Sequence, residues 1–226
     1  MEYLKQAITL IFSGDRELWQ IISTTLVMSL CSTGFSAVLG VPFGILTGSK
    51  RFIGKGALLR AVNTLMGLPP VLAGLIVFML FRSIGPFGRL HIMFSIPVMV
   101  IAQVVLITPV IWGLTAAAAE AKAPLLTETA AGLGISTGRR LFLLLRECTG
   151  ELISVILMGF GRSIAEVGAV SLVGGNIQFK TRVMTTAILL ETNRGNFDKA
   201  FAIGIILMLM SLLVNIPAYT LREKLK

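Results

Sequence analysis

The feature that most constrains this chain is a succession of long apolar stretches separated by short basic loops. No charged residue lies between Leu18 and Ser49, and none lies between His91 and Glu120. A helix needs about 20 apolar residues to cross the hydrocarbon core of a bilayer, and both stretches are longer than that. With 55% hydrophobic and 14% charged residues over 226 positions, the composition excludes a soluble domain and indicates a membrane protein.

Five membrane-spanning helices are predicted from these stretches. They cover residues 19–47, 57–82, 92–119, 149–173 and 200–221. The second predicted span contains Pro69 and Pro70 at mid-depth, and a proline inside a helix frees a backbone carbonyl of the preceding turn. A freed carbonyl must be satisfied by a neighbouring helix or a hydrated cavity, so this helix is expected inside the bundle. The predicted fold class is an all-α polytopic membrane helix bundle.

Two shorter segments complete the predicted architecture. In residues 1–16, apolar residues recur at helical spacing beside charged ones, which predicts an amphipathic helix on the membrane surface. Residues 183–190 are apolar but too short to cross a bilayer, which indicates either a re-entrant or an interfacial helix. The whole chain, residues 1–226, is expected to form a single transmembrane domain.

The basic residues predict the orientation of the bundle. Alternate loops hold two sets of lysine and arginine, and the larger set is expected in the cytoplasm. The larger set has eleven members: Lys50, Arg51, Lys55, Arg60, Lys122, Arg139, Arg140, Arg146, Arg222, Lys224 and Lys226. The smaller set has eight: Lys5, Arg16, Arg82, Arg89, Lys180, Arg182, Arg194 and Lys199. This count places the N-terminus outside and the C-terminus in the cytoplasm.

The longest predicted cytoplasmic loop, residues 120–147, reads as two helices joined by a tight turn. Pro124 suits the first turn of a short helix, where its missing N–H removes no helical hydrogen bond. Gly132 or Gly134 can adopt the left-handed conformation that ends a helix. Ser136 can cap the helix that follows. The loop therefore predicts a short helix held across the membrane surface.

Within this loop the sequence resembles the permease subunits of prokaryotic ABC importers. Their EAA motif has a glutamate, two alanines and, six positions after the glutamate, a glycine. The resemblance implies that this loop docks in a groove of a partner ATPase through Glu128, Thr129, Ala130, Ala131, Leu133 and Gly134. Thr129 replaces the first alanine, and Glu147 stands where the family commonly has a proline. The alternative interpretation is an ordinary amphipathic connector.

The fourth predicted span is apolar except for Glu151 near one end and for Arg162 and Glu166 in its interior. The spacing of Arg162 and Glu166 puts them one turn apart on one face of a helix. A charge near mid-bilayer costs on the order of 3 kcal/mol, so both are expected to face the bundle interior or water. They could line a translocation path together with Pro69 and Pro70, or they could form a structural ion pair. The spacing favours neither alternative.

A closer resemblance covers almost the whole chain from about residue 17. Residues 63–75, 160–177 and 181–207 are similar to the permeases of tungstate-specific importers, more than to molybdate or sulfate permeases. The resemblance implies a prokaryotic cell-membrane transport subunit, not an enzyme, that forms a homodimer. It also implies an ATP-binding subunit dimer and an extracytoplasmic substrate-binding protein as partners. No phosphate-binding Gly-rich loop occurs, so ATP and magnesium are expected on the partner and no cofactor on this chain.

Other classes of function fit the sequence less well. A secondary transporter or channel acting alone is expected to have several intramembrane ionisable residues. A membrane enzyme needs a nucleophile, base or metal cluster, and the lone His91 provides no metal site. The basic residues occur in clusters between apolar stretches, which argues against a nucleic-acid partner. The smaller basic set could attract an anion or an acidic binding protein, although its members could equally be solvated loop charges.

Overall fold

The computed structural model describes residues 15–224, without the side chains of residues 127, 131, 217–219 and 221–224. Residues 1–14, which carry most of the predicted amphipathic surface helix, lie outside the described residues. Within the described part the chain forms α-helices and one short 3₁₀ turn, Gly88–Leu90. The helices are α1 Arg16–Ser49, α2 Lys55–Met66, α3 Pro70–Phe81, α4 Ile96–Gly132, α5 Thr137–Glu147, α6 Thr149–Ile164, α7 Gly168–Gly174, α8 Met184–Asn193 and α9 Phe197–Lys224.

Three helices are long and apolar enough to cross a membrane, namely α1, α4 over Ile96–Leu126 and α9 over Phe197–Ile216. Helix α1 has large apolar side chains on the outside and polar side chains inside the bundle, as a helix surrounded by lipid requires. Ser29 and Ser32 are fully buried, whereas Phe35 and Val38 are exposed. A soluble helix shows the opposite arrangement. The all-α polytopic membrane bundle predicted from the sequence is confirmed, and the chain is a multi-pass membrane protein.

The second and fourth predicted spans are not continuous helices. The second consists of α2 and α3, which meet at 98°, and the fourth consists of α6 and α7, which meet at 56°. We call residues 67–69 the first break and residues 165–167 the second break. At the first break Pro69 is the N-cap of α3 and Pro70 its first residue. The expectation that both prolines lie inside one helix is therefore wrong, because a proline disrupts the helix before it and suits the start of the next.

The longest helices, α1 and α4, pack against each other through a row of glycines. A Cβ atom added at Gly44 would lie 2.5 Å from Thr115 Cβ and 2.9 Å from the Trp112 carbonyl oxygen. Gly40 and Gly48 have similarly short distances to α4. In lipid, small residues let two backbones approach closely and gain dispersion contacts. These two helices form the central frame of the bundle.

The two ends of the bundle are identified by ion pairs. At one end, Lys55 pairs with Glu120 at 3.1 Å, and Lys122 pairs with Glu151. At the other end, Glu17 at the start of α1 pairs with Arg182. The 34 residues of α1 span about 51 Å at 1.5 Å per residue. The ion-paired members of the two basic sets therefore lie at opposite ends of the bundle, as the sequence predicts.

Helix α8 covers the segment for which the sequence leaves two alternatives. Its first residues are buried: the Met184 N–H donates to Thr25 Oγ1 at 2.9 Å, and Thr185 Oγ1 donates to the Glu166 carbonyl oxygen at 2.7 Å. Helix α8 is therefore packed between α1 and the second break. This position favours the re-entrant alternative over an interfacial helix.

Candidate functional site

Arg162 connects the two broken helices at the middle of the bundle. It lies in the last turn of α6, and its Nη1 donates a hydrogen bond of 3.2 Å to the carbonyl oxygen of Met66, the last residue of α2. This carbonyl is one of those freed where the helix ends before the first break. Of the two alternatives for a freed carbonyl near Pro69, a neighbouring helix or a hydrated cavity, the structure shows a side chain of a neighbouring helix at the Met66 carbonyl.

Beyond the breaks, α3 and α7 are in backbone contact. A Cβ atom at Gly74 would lie 2.6 Å from Ala169 Cα, and one at Gly168 would lie 2.9 Å from Val71 Cγ2. Gly74 cannot carry a side chain without a shift of the α7 backbone, and a side chain at Gly168 would press against the Val71 side chain. The second halves of the two broken spans are therefore packed as one unit, and their first halves are linked through Arg162.

Glu166 lies in the second break rather than on a helix face shared with Arg162. Helix α6 ends at Ile164, so the prediction of one continuous helix face is wrong. The Glu166 side chain is 8% exposed, and its Oε1 accepts a hydrogen bond of 3.1 Å from the Ala169 N–H. Within the described part of the chain, no ion pair joins Arg162 to Glu166. The structural ion pair offered as the alternative interpretation is not formed.

A buried polar network next to the second break was not foreseen from the sequence. Ser32 on α1 donates to Gln103 Oε1 at 2.6 Å and lies 2.8 Å from Ser163 Oγ on α6. Gln103 Nε2 on α4 donates to the Ser163 carbonyl oxygen at 3.0 Å. This network ties the residue after Arg162 to the frame of α1 and α4. A glutamine in the otherwise apolar stretch of α4 is the sequence signal that could have indicated it.

The predicted ATPase-coupling residues lie at the end of α4 and in the turn that follows. Helix α4 continues to Gly132 and Pro124 is inside it, so the separate short helix starting at Pro124 is wrong. The alanine-rich stretch before Pro124 has high helix propensity, which favours continuation through the proline. Glu128 and Thr129 are exposed, and Ala130 is buried. The side chain of Ala131 lies outside the described residues.

The turn after α4 follows the prediction. Gly134 has φ +68°, a left-handed conformation that favours glycine, and the Ile135 N–H donates to the Ala130 carbonyl oxygen at 2.9 Å. Ser136 precedes α5 as its N-cap, but its side chain makes no capping hydrogen bond. Leu133 at the tip of the turn is 72% exposed. We call residues 128–134 the coupling segment, and its exposed side chains present an accessible surface.

The smaller basic set divides into paired and unpaired members. Arg182 pairs with Glu17, while Arg194 and Lys199 lie 3.2 and 3.6 Å from Glu191 Oε1. A hydrogen bond from Asn196, with these two cations, holds the pKa of the Glu191 carboxyl below its usual range. The remaining described cations of this set that are exposed and form no ion pair in the described part are Arg16, Arg82, Arg89 and Lys180.

Comparison with known proteins adds independent findings. Residues 40–226 match the family described as binding-protein-dependent transport system inner membrane component. The tungstate uptake system permease protein of Peptoclostridium acidaminophilum is 32% identical, over 99% of this chain and 100% of that protein. The corresponding protein of Campylobacter jejuni is 33% identical over 97% and 92%. A sulfate transport system permease protein of Escherichia coli is 26% identical over 88% and 75%.

Proposed function

The chain belongs to the family of binding-protein-dependent transport system inner membrane components, and on this premise we propose that it is the permease subunit of a tungstate importer. Members of this family are transport subunits that work with an ATP-binding subunit and a substrate-binding protein. The chain is therefore a transport component, and ATP hydrolysis belongs to its partner. We place ATP and magnesium on that partner and no cofactor on this chain.

The observation that carries the tungstate assignment is the extent of the similarity. Two tungstate uptake permeases match at 32% and 33% identity over nearly the full length of this chain. Sulfate permeases match at 25–28% identity and over less of the chain. Tungstate, molybdate and sulfate are all compact dianions, so any of them would need a hydrated path through the bilayer.

We place this path at the two breaks, with Arg162 and Glu166 as its charged residues and Pro69 and Pro70 as the cause of the first break. Broken helices expose polar backbone at membrane depth, and such backbone is tolerated where it is buried in protein or lines a water-filled cavity. Arg162 has five N–H donors, of which the Met66 carbonyl takes one. Its charge would hold an anion at mid-depth. The buried Glu166 carboxylate would keep this binding weak enough for release.

The assembly follows from the same proposal. The coupling segment with Glu128, Thr129, Ala130, Ala131, Leu133 and Gly134 would dock on the ATP-binding subunit. Lys55 and Lys122 of the larger basic set lie at the same end, which supports a cytoplasmic location for this end, with the N-terminus outside and the C-terminus inside. A second copy of the chain would complete the translocation path. The whole chain, residues 1–226, would then form one transmembrane domain in a prokaryotic cell membrane.

The substrate assignment is tested in proteoliposomes that contain the chain with its ATP-binding subunit and its substrate-binding protein. ATP-dependent uptake is measured for tungstate, with molybdate and sulfate as competitors at equal concentration. We expect tungstate uptake that molybdate inhibits weakly and sulfate hardly at all. Preferential uptake of sulfate or molybdate would overturn the substrate. Uptake without ATP or without an associated ATPase would instead support a secondary transporter.

The path assignment is tested by Arg162→Gln and Arg162→Lys, with Arg51→Gln as the matched control. Arg51 is an exposed arginine of the larger basic set without an ion pair in the described part of the chain. We expect Arg162→Gln to reduce uptake about tenfold or more, because a desolvated charge-assisted contact is worth roughly 1.5–3 kcal/mol. Arg162→Lys keeps the positive charge and should retain part of the activity. Normal uptake by an assembled Arg162→Gln complex would exclude Arg162 from the path.

A further inference from the structure

We propose that Lys55 and Lys122 are positioning residues that link the end of α4 to the first turns of both broken spans. The proposal rests on the function given above, because it assumes that the coupling segment receives movement from an ATPase. It concerns how that movement reaches the two breaks, which lie far from the coupling segment.

Lys122 connects three helices. Its Nζ donates to the carbonyl oxygen of Glu147, the last residue of α5, at 2.7 Å, and lies 3.0 Å from Glu151 Oε1 in the first turn of α6. A cation is favourable at a helix C-terminus, where carbonyls lack helical partners and the helix dipole is negative. Lys122 therefore closes the hairpin of α4 and α5 and attaches it to the start of the second broken span.

Lys55 makes an equivalent connection for the first broken span. It is the first residue of α2, and its Nζ lies 3.1 Å from the carbonyl oxygen of Gly48, in the last turn of α1, and 3.1 Å from Glu120 Oε1 on α4. Its side chain is only 16% exposed. Lys55 thus links α1, α2 and α4, as Lys122 links α4, α5 and α6.

The spacing of Glu120 and Lys122 on α4 determines how a movement of this helix would reach α2 and α6. Glu120 and Lys122 are two positions apart, so they project about 200° from each other around the helix axis. Helix α4 is therefore held from nearly opposite sides, by α2 through Glu120 and by α6 through Lys122. Both residues precede the coupling segment on the same helix. Displacement of that segment then moves the starts of α2 and α6 together.

These contacts are suited to positioning rather than to stabilisation. The carboxylate partners are open to solvent, Glu120 at 57% and Glu151 at 42% exposure, and ion pairs open to solvent contribute little to folding stability. Each lysine, however, also bonds a helix-terminal carbonyl, which restricts its direction. Loss of either lysine should leave the bundle folded and the coupling segment accessible, while the end of α4 moves without one of the broken spans. The predicted defect is a loss of coupling between ATP hydrolysis and transport.

The experiment uses the complete importer in proteoliposomes with tungstate as the probe. Lys55→Met and Lys122→Met are compared with Lys50→Met, which removes an exposed lysine at the same end that forms no ion pair in the described part of the chain. Lys122→Arg tests rescue by a conservative change. Three quantities are measured: co-purification of the ATPase, the ATPase rate, and tungstate transported per ATP hydrolysed.

We expect normal ATPase co-purification in all variants. For Lys55→Met and Lys122→Met we expect the amount of tungstate transported per ATP to fall about fivefold or more, because coupling between two sites typically changes an equilibrium by at least that factor. Lys122→Arg should recover much of this ratio, and Lys50→Met should match the wild type. An unchanged ratio in both methionine variants would overturn the proposal, and so would loss of the ATPase from the complex, which would make the lysines docking or folding residues. If the proposed function itself fails, the wild type already shows no ATP-driven anion uptake.

Discussion

The close approach of α1 and α4 can be tested with a single methyl group. In Gly44→Ala, the new Cβ would lie 2.5 Å from Thr115 Cβ and 2.9 Å from the Trp112 carbonyl oxygen, so the two backbones must separate. Overpacking of this kind costs about 1–3 kcal/mol. The higher helix propensity of alanine offsets roughly 1 kcal/mol of that cost. The net expectation is a loss of stability of up to about 2 kcal/mol.

Gly34→Ala on the same helix is the matched control. No atom lies within 4 Å of a Cβ added at Gly34, so only the gain in helix propensity remains, about 1 kcal/mol. Gly34→Ala should therefore be more stable than the wild type, and it should exceed Gly44→Ala in free energy of unfolding by about 1–3 kcal/mol. Thermal unfolding of the purified protein in detergent measures the difference, at roughly 2–4 °C per kcal/mol. If Gly44→Ala melts as high as Gly34→Ala, the reasoning about helix contact is refuted.

Three further predictions concern other parts of the chain. Gly134→Ala should impair ATPase docking and uptake, because an alanine in the left-handed region is strained by about 1–2 kcal/mol. Gly138→Ala, on α5 outside the coupling segment, is equally open but has no positive φ and should not impair them. Equal uptake by the two variants would contradict this. Because the pKa of Glu191 is lowered on folding by Asn196 and two cations, its contribution to stability is present above the unfolded pKa and lost as pH falls through the folded pKa. Melting curves between neutral and acid pH should show a smaller loss of stability in Glu191→Gln than in the wild type, and equal losses in the two would contradict this role of Glu191. Gln103→Leu should lower the melting temperature by leaving two buried serines with fewer partners, at about 1–3 kcal/mol, and an unchanged melting temperature would show that the network contributes nothing.

Two predictions that depend on local composition agree with the structure. Helix α1 covers residues 16–49 where the sequence predicts a span over 19–47, and Gly134 has the left-handed conformation expected in the turn after α4. A charge-free stretch of this length has one stable form in lipid, a helix with all its backbone hydrogen bonds made internally. A glycine in a polar turn is likewise a local matter of backbone sterics.

Predictions that require a long segment to stay straight failed, and so did the prediction that a separate short helix starts at Pro124, which lies inside α4. Residues 149–173 have the composition of one span, yet α6 ends at Ile164 and Glu166 lies in a break. No proline marks this position, in contrast to Pro69 at the first break. The polar groups at the second break find partners on other helices, such as Thr185, and these partners are remote in sequence.

The sequence alone therefore determined that the chain is a helical membrane protein, which stretches are apolar enough to span a bilayer, and that its ion-paired basic residues divide between two ends, because lipid imposes these features on each segment separately. Only the tertiary structure decided where the second helix breaks, that Arg162 binds the Met66 carbonyl rather than Glu166, and that Lys55 and Lys122 attach α4 to both broken spans. The physical reason is that a buried polar group is stable with any partner of suitable geometry. Which partner comes within 3 Å depends on how helices far apart in the chain pack together.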